Sequence, residues 1–355
     1  MSGAVLRLGF PVKVMGQADL KSNDTRRWQQ NPHLKTSLEY LDGILDYLAK
    51  RRISMYRMSS DLAPYATHPD MPQFHSMVRE SDAELQAIGK KARELDIRLS
   101  FHPSQYVLLN SPDPVLTKKS IWDLSSQAEM LDRMELGPEA VMVTHVGGAY
   151  GDVAGSRARW AKTWPTLPEQ VRRRLVLEHD DIRFSAADVL WVHEQTGVRL
   201  IFDYQHHWCL NPQQLDMIDV LRRILATWPS DVRPKIHFSS PRTELREMVK
   251  VDRKTKKKVK TLRPPVWTGH ADFTNPFEFA RFMRDAVGLE FDIMLEGKSK
   301  DISLLKLRPD LLRYAPDVAA RFGIFPAEAA AFEAEEATLE ADHDPENDPD
   351  VDEGS

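Results

Sequence analysis

The sequence predicts an α/β fold, a TIM (β/α)8 barrel, on three observations. From Leu6 to about Gly323, short apolar or β-branched runs alternate with longer amphipathic ones, the pattern of repeated βα units. The strand-like runs number eight, the count at which such units close into a barrel. A chain of 355 residues also suits one domain of this kind, because α/β barrels fill that length without division. An open doubly wound sheet is the alternative, since strand count does not by itself prove closure.

In chain order the predicted strands are LRLGF at 6–10, ISMYRM at 53–58, IRLSFH at 97–102 and AVMVTHV at 140–146. LVLEH at 175–179, VRLIFDY at 198–204, KIHFS at 235–239 and DIMLEG at 292–297 follow. Between the first two lies a helix over 36–50, where Leu38, Leu41, Leu45 and Leu48 recur at three- and four-residue steps and mark one buried face. Ser185 reads as the N-cap of the helix AADVLWVHEQT, which Gly197 terminates. An insertion over about 243–265 follows the seventh strand and alternates around a polar turn, as a β-hairpin does. Residues 250–263 carry eight Lys or Arg against one Asp. That is either a solvated basic loop or an arm that contacts phosphates, each of which strengthens binding by releasing a counterion.

The net charge of -5 hides an asymmetry, because residues 328–355 hold twelve Asp or Glu and no Lys or Arg. Without them 48 basic residues face 41 acidic ones, a balance of +7. The chain therefore divides into a barrel domain over 1–326 and an acidic tail over 327–355, whose charge and low hydrophobicity predict disorder. No apolar run approaches the roughly 20 residues of a membrane span, and the opening residues lack signal-peptide organisation. Cys209 is the single cysteine, so no internal disulfide forms and a reducing, cytoplasmic setting is expected. Neither a glycine-rich dinucleotide fingerprint nor a P-loop is present, so no nucleotide cofactor is expected.

Histidines and carboxylates recur at one place, the C-terminal end of a predicted strand. His102, His145, Glu178, Asp203 and Glu296 sit there, with His206 just beyond the sixth strand, His237 within the seventh, and His270 in the loop before the eighth. In barrels that rim is where active sites form. Five imidazoles and three carboxylates exceed what acid-base catalysis uses, but they suit two or three divalent ions, Zn2+ or Mn2+ by ligand type and Mg2+ as a further option. Three dications against three carboxylates leave a surplus of about three positive charges, which attracts phosphate and lowers the pKa of a bound water from about 16 toward neutrality. The chemistry implied is metal-assisted hydrolysis of a phosphodiester. Lys235 stands two residues before His237 and so shares its face. Beside metal ions it is a neutral amine, a side chain turned away, or an amine carboxylated into an acidic group.

The stretches YRMSSDLAPYATHP, FHPSQYVLLNSPDP, THVGGAYGD, LEHDD, FDYQHHWCLNP, KIHFSS and LEGKSKD, in that order, resemble the UV damage endonucleases, whose barrel is similar to that of endonuclease IV. The resemblance runs from about Leu6 to Lys306. It implies that His102, His145, Glu178, Asp203, His206, His237, His270 and Glu296 bind a metal cluster, commonly manganese, and that Lys235 matches a lysine carboxylated in the family. It makes Gln105 and Tyr106 the residues that probe the duplex beside the lesion, which suits a ring able to stack and an amide able to hydrogen-bond. Lys298 and Lys300 match phosphate-holding positions, and His68 a site-lining one. Phe10 replaces a frequent tyrosine at a lesion-contacting position, and His179 replaces a usual asparagine next to Glu178.

The expectation is a monomeric, metal-dependent endonuclease acting on damaged double-stranded DNA, in the cytoplasm and on the nucleoid of a bacterial source. It would cut immediately 5′ to cyclobutane dimers and 6-4 products, and also at abasic sites, with Glu178, Glu296, Lys235 and Lys298 carrying the catalysis. An endonuclease acting mainly at abasic sites, a metal-dependent sugar isomerase and a noncatalytic damage-binding module are the alternatives.

Overall fold

All eight predicted strands form, most of them shorter than predicted, and the first shifted to end at Pro11. In the computed structural model, which describes residues 5–252 and 255–326, they are β1 (Leu8–Pro11), β2 (Met55–Arg57), β3 (Arg98–Ser100), β4 (Met142–His145), β5 (Leu175–Glu178), β6 (Arg199–Ile201) and β7 (Lys235–Phe238). The insertion supplies β8 (Arg246–Val251) and β9 (Lys258–Arg263), and the last barrel strand is β10 (Asp292–Leu295). The acidic segment 327–355 lies outside the described residues.

Hydrogen bonding orders the strands β3-β2-β1-β10-β7 in one parallel sheet and β4-β5-β6 in another. Parallel bridges from Phe101 to Met142 and from Asp203 to His237 join the two sheets at both seams. The Phe101 N–H donates to Val141 O at 2.9 Å, and the His237 N–H to Phe202 O at 2.9 Å. The ring thus closes, and the open-sheet alternative falls.

Because side chains alternate across a strand, the barrel has two apolar layers. Val141, Val143, Val176 and Ile201 point inward and form a buried cluster with Trp228 and Val232. Leu8, Phe10, Leu99, Leu177, Phe202 and Phe238 belong to the larger cluster between barrel and helices. The helix Leu34–Lys50 docks there through Leu34, Leu38, Leu41, Ile44, Leu45 and Leu48, each worth about 1.5–3 kcal/mol when fully buried. At the predicted helix Ala186–Thr196, the Asp188 carboxylate accepts the Ser185 backbone N–H at 2.9 Å. Gly197 ends that helix at φ 74°, a conformation that glycine adopts without a Cβ clash.

The floor of the barrel is ionic. Asp292 is fully buried, 2.9 Å from Arg98 and 3.6 Å from each of Arg7 and Arg233. The opposite, C-terminal ends of the strands carry the candidate ligands.

Candidate metal centre

Glu178 ends β5 at the middle of the rim, and four imidazoles approach it. His237 Nδ1 lies 2.9 Å from Glu178 Oε1, His206 Nδ1 3.5 Å from the same oxygen, and His102 and His145 Nε2 lie 3.4 and 3.7 Å from Oε2. Three trios offer ligand atoms within 4.8 Å of one another: His102, His145 and Glu178; Glu178, Asp203 and His206; and Asp203, His237 and Glu296. Seven of the eight predicted ligands therefore stand in one continuous chain of trios. The eighth, His270, stands alongside, its Nδ1 3.8 Å from Glu296 Oε2.

Local structure explains how each arrives. Asp203 follows β6 and caps the short helix Tyr204–Cys209, its Oδ1 accepting the His206 N–H at 2.7 Å. One carboxylate thereby sets both its own position and that of the next imidazole. The Nδ1 atoms of His102, His206 and His270 lie 3.1, 3.0 and 3.0 Å from the carbonyl oxygens of Pro103, His179 and Glu296. A ligating histidine is normally oriented this way, one nitrogen tied to a carbonyl and the other left for the ion.

The donor set fits a cluster of divalent ions. Among the described residues, Glu178 Oε2, Asp203 Oδ2 and His237 Nε2 are buried without a hydrogen-bond partner, an expensive condition for polar atoms unless something satisfies them. Imidazole and carboxylate together suit Mn2+ or Zn2+.

The electrostatics agree. Burial alone would raise the Glu178 carboxyl, but the His237 and His145 imidazoles outweigh it and hold the group well below the usual carboxylate range. Glu296 is held low in the same way, by Arg57 and His237 against burial. Burial pushes His145 down, assisted by His102 and His206. His206 goes the other way: burial opposes its charge, but Asp203, Glu178 and Glu296 raise it to about 9.

Lys235 lies on the inner face of β7 beneath His237, fully buried, its Nζ donating to Ser100 Oγ at 3.0 Å. Burial, then the guanidiniums of Arg98 and Arg57, push its pKa well below the ordinary value. The reading in which it turns away to solvent is therefore incorrect. Lys298 is exposed on the rim, and Lys300 is half-buried beyond it.

The loop after β3 rises from the same rim. Gln105 and Tyr106 are both exposed, Tyr106 to 73%, on a turn in which Val107 N–H donates to Ser104 O at 2.9 Å. Two cavities flank this ridge. One of about 800 Å³ covers the centre and is lined by His102, Gln105, His145, Tyr150, Asp181 and His206. The other, of about 510 Å³, is lined by Tyr65, His68, Tyr106, Lys119 and Asp123. Gly147 holds the neighbouring loop close, at φ 112°, where a Cβ would meet Asn110 Oδ1 at 2.5 Å.

Phe10 requires a correction. It is completely buried on the outer face of β1, edge-on to Tyr56 with ring centroids 5.4 Å apart. A side chain between barrel and helices cannot touch DNA. Two residues went unnoticed in the sequence. Arg57 ends β2 and forms an ion pair with Glu296; its place at a strand's C-terminal end was the available signal. Ser100, the partner of Lys235, offered none, because a small hydroxyl in a strand is ordinary. His179 is fully buried and its Nε2 accepts the Asp203 N–H at 3.0 Å, so it braces Asp203 and His206 as well as following Glu178.

Comparison with known proteins sets this geometry in a family. The family model described as UV-endonuclease UvdE matches residues 15–320. The UV DNA damage endonuclease of Bacillus velezensis is 33% identical over 275 residues, covering 75% of this chain and 78% of its own. That of Bacillus pumilus is 34% identical over 263 residues, covering 73% and 75%. The solved structure described as "Crystal Structure of SacUVDE" superposes with a TM-score of 0.71 at 32% identity, covering 87% of this chain and 98% of that one.

Proposed function

The chain belongs to the UV-endonuclease UvdE family, and from that premise we propose that it is a DNA repair endonuclease that hydrolyses the phosphodiester immediately 5′ to a UV photoproduct. Cyclobutane dimers, 6-4 products and abasic sites are its substrates, and the products are a 3′-hydroxyl and a 5′-phosphate. The observation that carries the reading is the convergence of three ligand trios on Glu178, Asp203 and Glu296, with buried oxygens that accept no hydrogen bond from the described residues. Such a set would hold divalent ions, Mn2+ by preference, and these would supply an activated water and neutralise charge on a phosphodiester.

The chain's own residues supply the rest. His102, His145, His206, His237 and His270 orient the ligand field, three of them fixed through carbonyls. Lys298 meets phosphate oxygens at the rim. Gln105 and Tyr106 enter the duplex beside the lesion, and His68 lines the cavity on Tyr106's side of the loop. An aromatic ring replaces a displaced base by stacking, while an amide reads an exposed edge.

Lys235 acts as a carboxylated lysine in this reading. An unprotonated amine adds to carbon dioxide, forming an N–C bond and releasing a proton. The product is an anion between Arg98 and Arg57, where the ammonium would be repelled. A low pKa and two guanidinium neighbours support the modification.

The test is incision of end-labelled duplexes that each carry one cyclobutane dimer, one 6-4 product or one abasic site. Cutting immediately 5′ to both photoproducts is expected. Cutting at the abasic site alone would replace this reading with that of an abasic-site endonuclease.

A further inference from the structure

We propose that the β8–β9 hairpin is a second DNA-binding surface, an arm that enters a groove of the duplex beyond the lesion and grips its backbone without regard to damage. The inference rests on the endonuclease reading and adds the path along which the bound duplex runs.

Among the described residues the hairpin pairs with no barrel strand; β8 and β9 form their own two-stranded sheet. All six residues of β9 are exposed, as are Val249 and Val251 of β8. Such a ribbon is at best marginally stable alone in water, so it gains most from a partner.

The register identifies that partner. Val249 faces Lys260 and Val251 faces Lys258, which puts these four side chains on one face with Glu247 and Leu262. Lys250 faces Val259 on the other, with Met248, Thr261 and Arg263. Lys256 and Lys257 close the turn, where Asp252 N–H donates to Lys257 O at 2.9 Å. Cations therefore point from both faces and from the tip. A ribbon lying flat on an acidic surface needs one basic face, whereas a ribbon inside a groove has phosphates on both sides. The major groove of B-DNA admits a two-stranded ribbon, and the exposed valines and Leu262 then meet sugars and base edges.

The root of the arm fixes where it starts. It leaves after β7 and returns before β10, on the rim that carries the metal centre. Ala271 N–H donates to Ser240 O at 2.8 Å and Arg242 N–H to Gly269 O at 2.7 Å, and Pro241 bridges to His270 between them. Arg242 also pairs with Asp272 at 2.8 Å. The arm thus rises from a braced base beside His270. Six residues at about 3.4 Å each reach about 20 Å, or roughly six base pairs.

The experiment measures the affinity of the full chain for a short undamaged duplex against salt concentration. It compares wild type, the variant carrying Lys250→Gln, Lys256→Gln, Lys257→Gln, Lys258→Gln and Lys260→Gln, and a second variant in which residues 244–265 become a short Gly-Ser turn. Each phosphate that a variant no longer neutralises lowers the salt slope by about 0.9, so a drop of roughly two to four is expected, with affinity weaker by about tenfold or more. Single-turnover incision of damaged duplex should need correspondingly more enzyme for half-saturation, with the loss concentrated there and not in the plateau rate. An unchanged slope in both variants overturns the arm. If the slope is unchanged but binding of a peptide of residues 327–355 is weakened, the arm holds that acidic segment instead of DNA. Failure of the wild type to cut damaged duplex would overturn the endonuclease reading, and the undamaged-duplex slopes would still decide the arm.

Discussion

Lys235 Nζ lies 3.0 Å from Ser100 Oγ in the barrel interior directly beneath His237, with no part of the lysine exposed. Burial and then Arg98 and Arg57 drive its ammonium well below the ordinary lysine range, as expected for a cation out of water beside like charges. The amine is therefore more available to carbon dioxide than that of an ordinary lysine. In 13C-bicarbonate the wild type should show a carbamate resonance by NMR that Lys235→Met lacks. Identical spectra for the two would exclude carboxylation.

Proton release should accompany metal binding. In the metal-free protein burial disfavours charge on His206, but Asp203, Glu178 and Glu296 raise its pKa to about 9, above the unfolded value of about 6.5. The stability this charge confers on the metal-free protein is fully present below about pH 6.5 and is lost as pH rises through about 9. An incoming ion must displace that proton, so metal affinity should climb with pH up to about 9. Calorimetric titration of Mn2+ in buffers of different ionisation enthalpy should show release near neutral pH, and His206→Asn should release about one proton fewer. Equal release would remove His206 from the ligand set.

Tyr106 should separate recognition from folding. Its ring is 73% exposed on the ridge between the two cavities. Base stacking on an aromatic side chain is worth about 1–3 kcal/mol, so Tyr106→Ala should cut the preference for damaged over undamaged duplex by roughly 5- to 150-fold. Its melting temperature should match the wild type. Undiminished preference would leave the loop without the probing role.

The barrel floor makes a stability prediction. Asp292 is surrounded by Arg98, Arg7 and Arg233, and removing one partner of a buried pair typically costs about 3–5 kcal/mol. Asp292→Ala should lose that much in denaturant unfolding. A loss below about 1 kcal/mol would mean that the carbonyls of Arg233 and Pro234, which also accept from Arg98, suffice.

The barrel was legible because each strand carries its own apolar run and its own turn signals, so eight local patterns agreed on one architecture. The rim was legible for a related reason: a strand's last residue and the first of its loop are adjacent in sequence, as with Glu178 or His102. Pairings across the barrel were not. Arg57 and Glu296 are 239 residues apart, and Lys235 and Ser100 are 135 apart; only closure brings them together. Phe10 was misplaced because its lesion contact rested on the family resemblance alone, and a strand's period of two identifies two faces without saying which one lines the barrel. The hairpin was read from its alternation, but its exposure depends on no other described element covering it.

The central claim is that the centre built on Glu178 performs the incision. The most direct measurement is single-turnover cutting of a duplex with one cyclobutane dimer, by chelator-stripped wild type and Glu178→Gln, before and after adding Mn2+. Wild type should be silent when stripped and active on Mn2+ addition, while Glu178→Gln stays at least about 100-fold slower with metal present. Rapid cutting by the stripped wild type, or by Glu178→Gln, would contradict the account.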